Sequence, residues 1–226
     1  ALTPLTTLLF TSVLEEVGLP PGVLNVIPTK DAGGVTGPII KDPRLRKLSF
    51  TGSTEVGRSL LRDSADQVLR TSMELGGNAP FLVFEDADLD AAVDGAMVAK
   101  LRNMGEACTA ANRFLVHESV ADEFSDRLAE RMGALPVKRG TEEDAKVGPL
   151  IDEKSRQKVQ ALVDDAVAKG GLVRVGGKPA GGAGYFYPPT VISGVGTDAR
   201  IFAEEVFGPV APVVPFSSEE EAVAMA

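Results

Sequence analysis

Leu5, Leu8, Leu9, Val13 and Leu14 recur at the three- and four-residue spacing of a helix, and Gly18 with Pro20 and Pro21 closes the run. Val23 to Ile27 is a short β-rich run ended by Pro28, followed by weak helical periodicity interrupted by Gly37 and Pro38. Lys47 to Phe50 reads as a strand that feeds directly into Thr51-Gly52-Ser53-Thr54-Glu55-Val56-Gly57 and a helix to about Asp66. Val68 to Leu75 is a further strand, stopped by Gly76-Gly77. The rhythm then restarts with a strand over Pro80 to Phe84 and a helix from Leu89 to Arg102, begun by Asp86 or Asp88. A loop around Cys108 leads to a strand over Arg113 to His117. Helices over Val120 to Met132 and Glu153 to Lys169, and strands over Leu172 to Val175 and Pro189 to Ile192, complete the pattern. Gly176 to Tyr187, rich in Gly and Pro, reads as a surface loop.

Strands separated by helices at this tempo predict βαβ units with right-handed crossovers and a parallel sheet, hence an α/β fold. The Gly76-Gly77 pair is the expected junction between a first domain, residues 1–77, and a second, residues 78–226.

Composition narrows the function classes. With 44% hydrophobic and 24% charged residues in 226, the chain has apolar material for a packed core, which excludes a disordered protein. The net charge of -9, with basic residues scattered rather than gathered in a stripe, argues against a nucleic-acid partner. No apolar run reaches the roughly 18 residues of a membrane span, and Ala1-Leu2-Thr3-Pro4 lacks a signal-peptide layout, so no membrane partner and a cytoplasmic setting are expected. One cysteine forms no intramolecular disulfide, and with one histidine it does not build a zinc cluster, so no metal is expected. A start without Met and a helical ending through Glu219-Glu220-Glu221 to Ala226 mark the chain as a piece of a longer one.

Four places carry chemistry. Gly52 to Gly57 lies where a strand enters a helix, and small residues at a helix N-terminus admit a phosphate; Ser53 and Glu55 equally suit an ordinary helix start. Cys108, in Met104-Gly105-Glu106-Ala107-Cys108-Thr109, is either a small buried hydrophobe or a nucleophile, and its small loop neighbours favour access. Glu74 is either a base whose pKa is raised in a cavity or a solvated carboxylate at a strand end. Glu204-Glu205-Val206-Phe207-Gly208-Pro209 is, by its chemistry alone, a loop entering a strand.

Together these segments resemble the aldehyde dehydrogenase superfamily, in its order and spacing and over essentially the whole chain. Phe50 to Gly57 looks like the coenzyme-binding turn, Met73-Glu74-Leu75-Gly76-Gly77-Asn78-Ala79-Pro80 like the glutamate signature, and Met104 to Thr109 like the cysteine signature, with Glu106 where Gln is more usual. Glu205-Val206-Phe207-Gly208-Pro209 matches the segment that grips the nicotinamide ribose and ring. The resemblance implies an α/β protein, with part of a Rossmann-like coenzyme domain and most of a catalytic domain. It implies that Cys108 attacks an aldehyde, that hydride passes to NAD or NADP, and that Glu74 activates water against the thioester. Gly52, Ser53, Gly57, Leu75, Gly76, Glu205 and Phe207 are the implied coenzyme-binding positions.

The stretch Lys100 to Arg113 is similar to succinate-semialdehyde dehydrogenases, in which an arginine six residues before the nucleophile binds the substrate carboxylate; Arg102 holds that place. The alternative for Arg102 is a salt bridge or the C-terminal dipole of its helix. The same resemblance implies a small aldehyde as partner and a homo-oligomeric parent enzyme. The family's upstream lysine and oxyanion-hole asparagine, and its subunit-pairing strand, are not in this chain, so the chain alone is expected to be inactive. Ala1 stands near where the family keeps a glutamate, which permits NADP. The rivals are an aldehyde dehydrogenase for another small aldehyde and a non-catalytic protein that keeps the fold.

Overall fold

A computed structural model describes residues 3–226; Ala1, to which the expectation about coenzyme preference attaches, lies outside them. The chain divides into two compact units, one ending at Leu75 and the other beginning at Gly76.

The first unit holds α1 (Leu5–Glu16), α2 (Ala32–Ile40), β1 (Lys47–Gly52), α3 (Thr54–Ala65) and β2 (Arg70–Leu75). Gly18, at φ 92°, follows the end of α1 in the left-handed conformation that glycine adopts most readily. Asp31 caps α2 by accepting the Gly34 N–H, and Pro38 lies inside the helix. β1 and β2 pair in parallel, joined by α3 as a crossover. Val23 to Ile27 forms no strand. A β-rich run needs a neighbour for its backbone groups, and this one has none among the described residues.

The second unit contains β3 (Ala79–Val83), α4 (Leu89–Leu101), β4 (Ala111–His117), α5 (Glu118–Gly133), α6 (Glu153–Ala168), β5 (Leu172–Val175), β6 (Thr190–Ser193), α7 (Arg200–Ala203), β7 (Val210–Phe216) and α8 (Glu219–Met225). Its five-stranded sheet runs β3-β4-β7-β6-β5, parallel except for the antiparallel edge pair β5–β6. Asp88 starts α4 by accepting the N–H groups of Asp90 and Ala91, and Asp152 does the same for α6 through Ser155.

Both faces of this sheet are covered, as a parallel sheet requires. Phe114 and Val116 of β4, with Ala211 and Val213 of β7, pack with Val93 and Ala96 of α4 and Phe124, Leu128 and Met132 of α5. Leu115, Val210 and Val214 point the other way, into Val159, Leu162, Val163 and Ala166 of α6. Successive strand residues therefore serve opposite layers. Gly176 to Tyr187 is irregular but not wholly on the surface: Tyr187 is fully buried, its hydroxyl donating to Gln160 Oε1 at 3.1 Å. Among the described residues no helix is long and apolar enough to cross a membrane.

Candidate active site

In the first unit the two strands end side by side, with Thr51 opposite Glu74 and Gly52 opposite Leu75. Ligands of open parallel sheets bind at such carboxyl ends. Ser53 is the N-cap of α3, its Oγ accepting the Val56 N–H at 3.3 Å. The N–H groups of Thr54 and Glu55 precede any helical acceptor and stand at the positive end of the helix. At Gly57 a Cβ would lie 2.6 Å from Leu75 Cδ2, so a glycine lets the first turn of α3 close on the strand end. Gly52, Ser53, Gly57, Glu74 and Leu75 are thus gathered at one end of this unit. Glu74 is exposed there rather than enclosed.

In the second unit three distant segments meet. α4 stops at Leu101, and the chain kinks sharply over Arg102–Gly105, where Asn103, Met104 and Gly105 have φ of 59°, 57° and 78°. Successive left-handed residues reverse the chain, and Cys108 emerges exposed. Asn103 Nδ2 donates to the Glu106 carbonyl at 2.7 Å and so ties the turn to the loop. A Cβ on Gly105 would lie 2.2 Å from the Gly208 carbonyl oxygen, so the cysteine loop and the 205–208 segment touch backbone to backbone. A Cβ on Gly77 would stand 3.8 Å from the Cys108 carbonyl oxygen, and one on Gly76 would stand 2.3 Å from Glu205 Oε2. The Gly77 N–H donates to Glu205 Oε1 at 3.4 Å. Cys108, the glycine pair and the Glu205 carboxylate therefore occupy one neighbourhood. Phe207, beside it in sequence, is 41% exposed. Arg102 is exposed and makes no salt bridge among the described residues.

Several supporting residues escaped the sequence reading. Lys100 is fully buried beneath the cysteine loop, its Nζ donating to Asn112 Oδ1 at 2.7 Å, and Asn112 Nδ2 donates to the Gly77 carbonyl at 3.3 Å. Burial pushes the Lys100 ammonium down to about 7, against the opposing field of Glu205. The available signal was the stripe Val93, Ala96, Lys100, which places the lysine on the apolar face of α4. Asn78 Nδ2 donates to the Phe202 carbonyl at 2.7 Å, and Arg113 Nε to the Asn78 carbonyl at 2.8 Å, fixing the residues after the glycine pair. Burial raises the Glu106 carboxyl, opposed by a hydrogen bond from the Ile151 backbone and assisted by the charge of Asp152.

The aldehyde dehydrogenase family model matches residues 1–226. The chain belongs to the aldehyde dehydrogenase family. It is 59% identical over its whole length to a succinate-semialdehyde dehydrogenase of Paenarthrobacter nicotinovorans, of which it covers 50%. Over 99% of its length it is 46% identical to a glutarate-semialdehyde dehydrogenase of Pseudomonas aeruginosa, of which it covers 46%. The crystal structure of an NADP-dependent enzyme of E. coli superposes with a TM-score of 0.96 at 43% identity, over 99% of this chain and 46% of that one. The chain thus spans about half the length of the curated relatives it matches. This family membership agrees with the α/β fold described above.

Proposed function

We propose that this chain carries the reacting residues of an NAD(P)-dependent aldehyde dehydrogenase acting on an aldehyde with a carboxylate at its far end, succinate semialdehyde first. In this reading residues 1–77 contribute to coenzyme binding and 78–226 to the catalytic domain. The single observation that carries it is the convergence, in the second unit, of an exposed cysteine with a carboxylate held across two glycines.

The residues fit a dinucleotide. The uncapped N–H groups at the start of α3 suit a pyrophosphate; Gly52 and Ser53 add little bulk at that turn, and Gly57 lets Leu75 pack against the first turn of the helix. Gly76 leaves the space that the Glu205 carboxylate needs; that carboxylate would accept hydrogen bonds from ribose hydroxyls, and Phe207 would supply an apolar surface for the nicotinamide. The coenzyme, when bound, supplies the hydride acceptor. Cys108 as thiolate attacks the aldehyde carbonyl and holds the substrate as a thiohemiacetal, then as a thioester. Glu74 takes the proton from the water that releases the acid.

The substrate class rests on Arg102. An exposed guanidinium without a salt bridge among the described residues, displayed by a kinked turn six residues before the nucleophile, suits bidentate capture of a carboxylate. Replacing it with alanine in the full natural protein is expected to lower kcat/KM for succinate semialdehyde by roughly 10²-fold, as for a lost charge-assisted pair. An uncharged aldehyde of similar length should be affected by less than about threefold. Equal losses for both aldehydes would refute the assignment.

A further inference from the structure

The helix that leads to the cysteine loop ends on a buried cation that the reaction itself does not use. Lys100 is 0% exposed, on the same stripe of α4 as Val93 and Ala96. An ammonium is a costly group to enclose, and an apolar side chain of that length would fill the same space. Its ammonium donates to Asn112, itself only 1% exposed, at the start of β4. From Asn112 the contacts continue to the Gly77 carbonyl, and the N–H of the same residue donates to Glu205. The glycine pair is thus held on one side by the lysine's partner and carries the carboxylate on the other. The stem also passes beneath the loop: Lys100 Cε is 3.0 Å from where a Cβ on Gly105 would stand.

We infer that Lys100 is a positioning residue for coenzyme binding, acting through Asn112 and Gly77 to hold the Glu205 carboxylate toward the ribose hydroxyls. This rests on the assignment of Glu205 as a coenzyme contact. Asn112 on β4, which accepts from the ammonium, and Gly105 of the loop, which lies against the stem, are neutral, and the charge that faces the ammonium is Glu205. Burial lowers the ammonium to about 7, so it changes charge within the neutral range. The protonated form donates strongly to Asn112 and attracts the carboxylate; the neutral amine does so weakly. Coenzyme affinity therefore falls as pH rises through about 7.

The test is calorimetric titration of NADP+ and NAD+ into the full natural protein, its Lys100→Met variant and its Glu205→Ala variant. The Met substitution should raise the dissociation constant of the preferred coenzyme by roughly tenfold, the size of one lost hydrogen bond to a charged group, and abolish the pH step. A merely structural lysine would lower the melting temperature and leave affinity and pH step as they were, and that result overturns the inference. If Glu205→Ala fails to weaken binding, the assignment of Glu205 falls and the inference with it. If Glu205→Ala weakens binding and Lys100→Met does not, the inference alone falls. Should Lys100→Met not fold, the unmodified protein decides. Affinity that declines between about pH 6 and pH 9 supports the role, and a flat profile overturns it.

Discussion

Two residues before Cys108 stands Glu106, where the family resemblance leads one to expect glutamine, and burial raises its carboxyl above the ordinary value of 4.5. A carboxyl raised by folding favours the neutral form in the folded state. Its contribution is therefore fully present below the unfolded value and is lost as pH rises through the folded one. Glu106→Gln supplies a permanently neutral acceptor for the Ile151 N–H. The variant is expected to melt higher than the parent near pH 8, with the difference shrinking toward pH 5; thermal melts across that range check it, and a constant difference would speak against the burial argument. Cys108, Glu74, Glu205 and Arg102 stood out in the sequence as candidates because the segments around them resemble family signatures. Lys100 and Asn112 were not, because a lysine on a helix is ordinarily read as solvated, and only the depth of α4 against β4 encloses this one. That Asn112 bridges to Gly77 depends on contacts across 35 positions, which no local pattern encodes.

At the scale of elements, periodicity located most helices and every strand but β7, and capping residues such as Ser53, Asp88 and Asp152 fixed where helices begin. β7 lies centrally, between β4 and β6, yet was legible only as a strand of unspecified extent after the Gly-Pro turn. Pro212 and Pro215 lie inside it, and proline normally argues against an interior strand. The left-handed turn at the end of α4 left a single sequence mark, Gly105. That glycine has two reasons to be there: φ of 78° and a backbone oxygen 2.2 Å from any Cβ. Gly105→Ala is expected to destabilise the protein by about 3 kcal/mol or more, combining left-handed strain with a clash that backbone must relieve. Gly140→Ala, where no atom lies within 4 Å of the added carbon, should change stability by no more than about 0.5 kcal/mol. Denaturant unfolding of the two variants compares them directly, and similar losses would mean that the loop accommodates a side chain.

Across the whole chain, burial is unevenly divided. β4, β6 and β7 are buried along nearly their full length, whereas β1 and β2 are exposed or half-exposed throughout. Local stability follows buried apolar contact, so backbone amides of β4 and β7 should exchange with deuterium at least about 100-fold more slowly than those of β1 and β2 in this chain; equal protection would contradict the division into units of unequal stability. The alternation of strands and helices that predicts an α/β protein belongs to this scale too. The antiparallel β5 edge does not follow from that alternation, because pairing direction is set by how a loop returns rather than by periodicity. Cys108 and Glu74 are proposed as nucleophile and base. The most direct measurement is mass spectrometry of the full natural protein bearing Glu74→Gln, mixed with succinate semialdehyde and NADP+. A burst of about one reduced coenzyme per chain and a succinyl thioester on the Cys108 peptide are expected, because the acyl group forms and its hydrolysis stalls. Coenzyme reduction at the unmodified rate with Cys108 free of any adduct would contradict these roles.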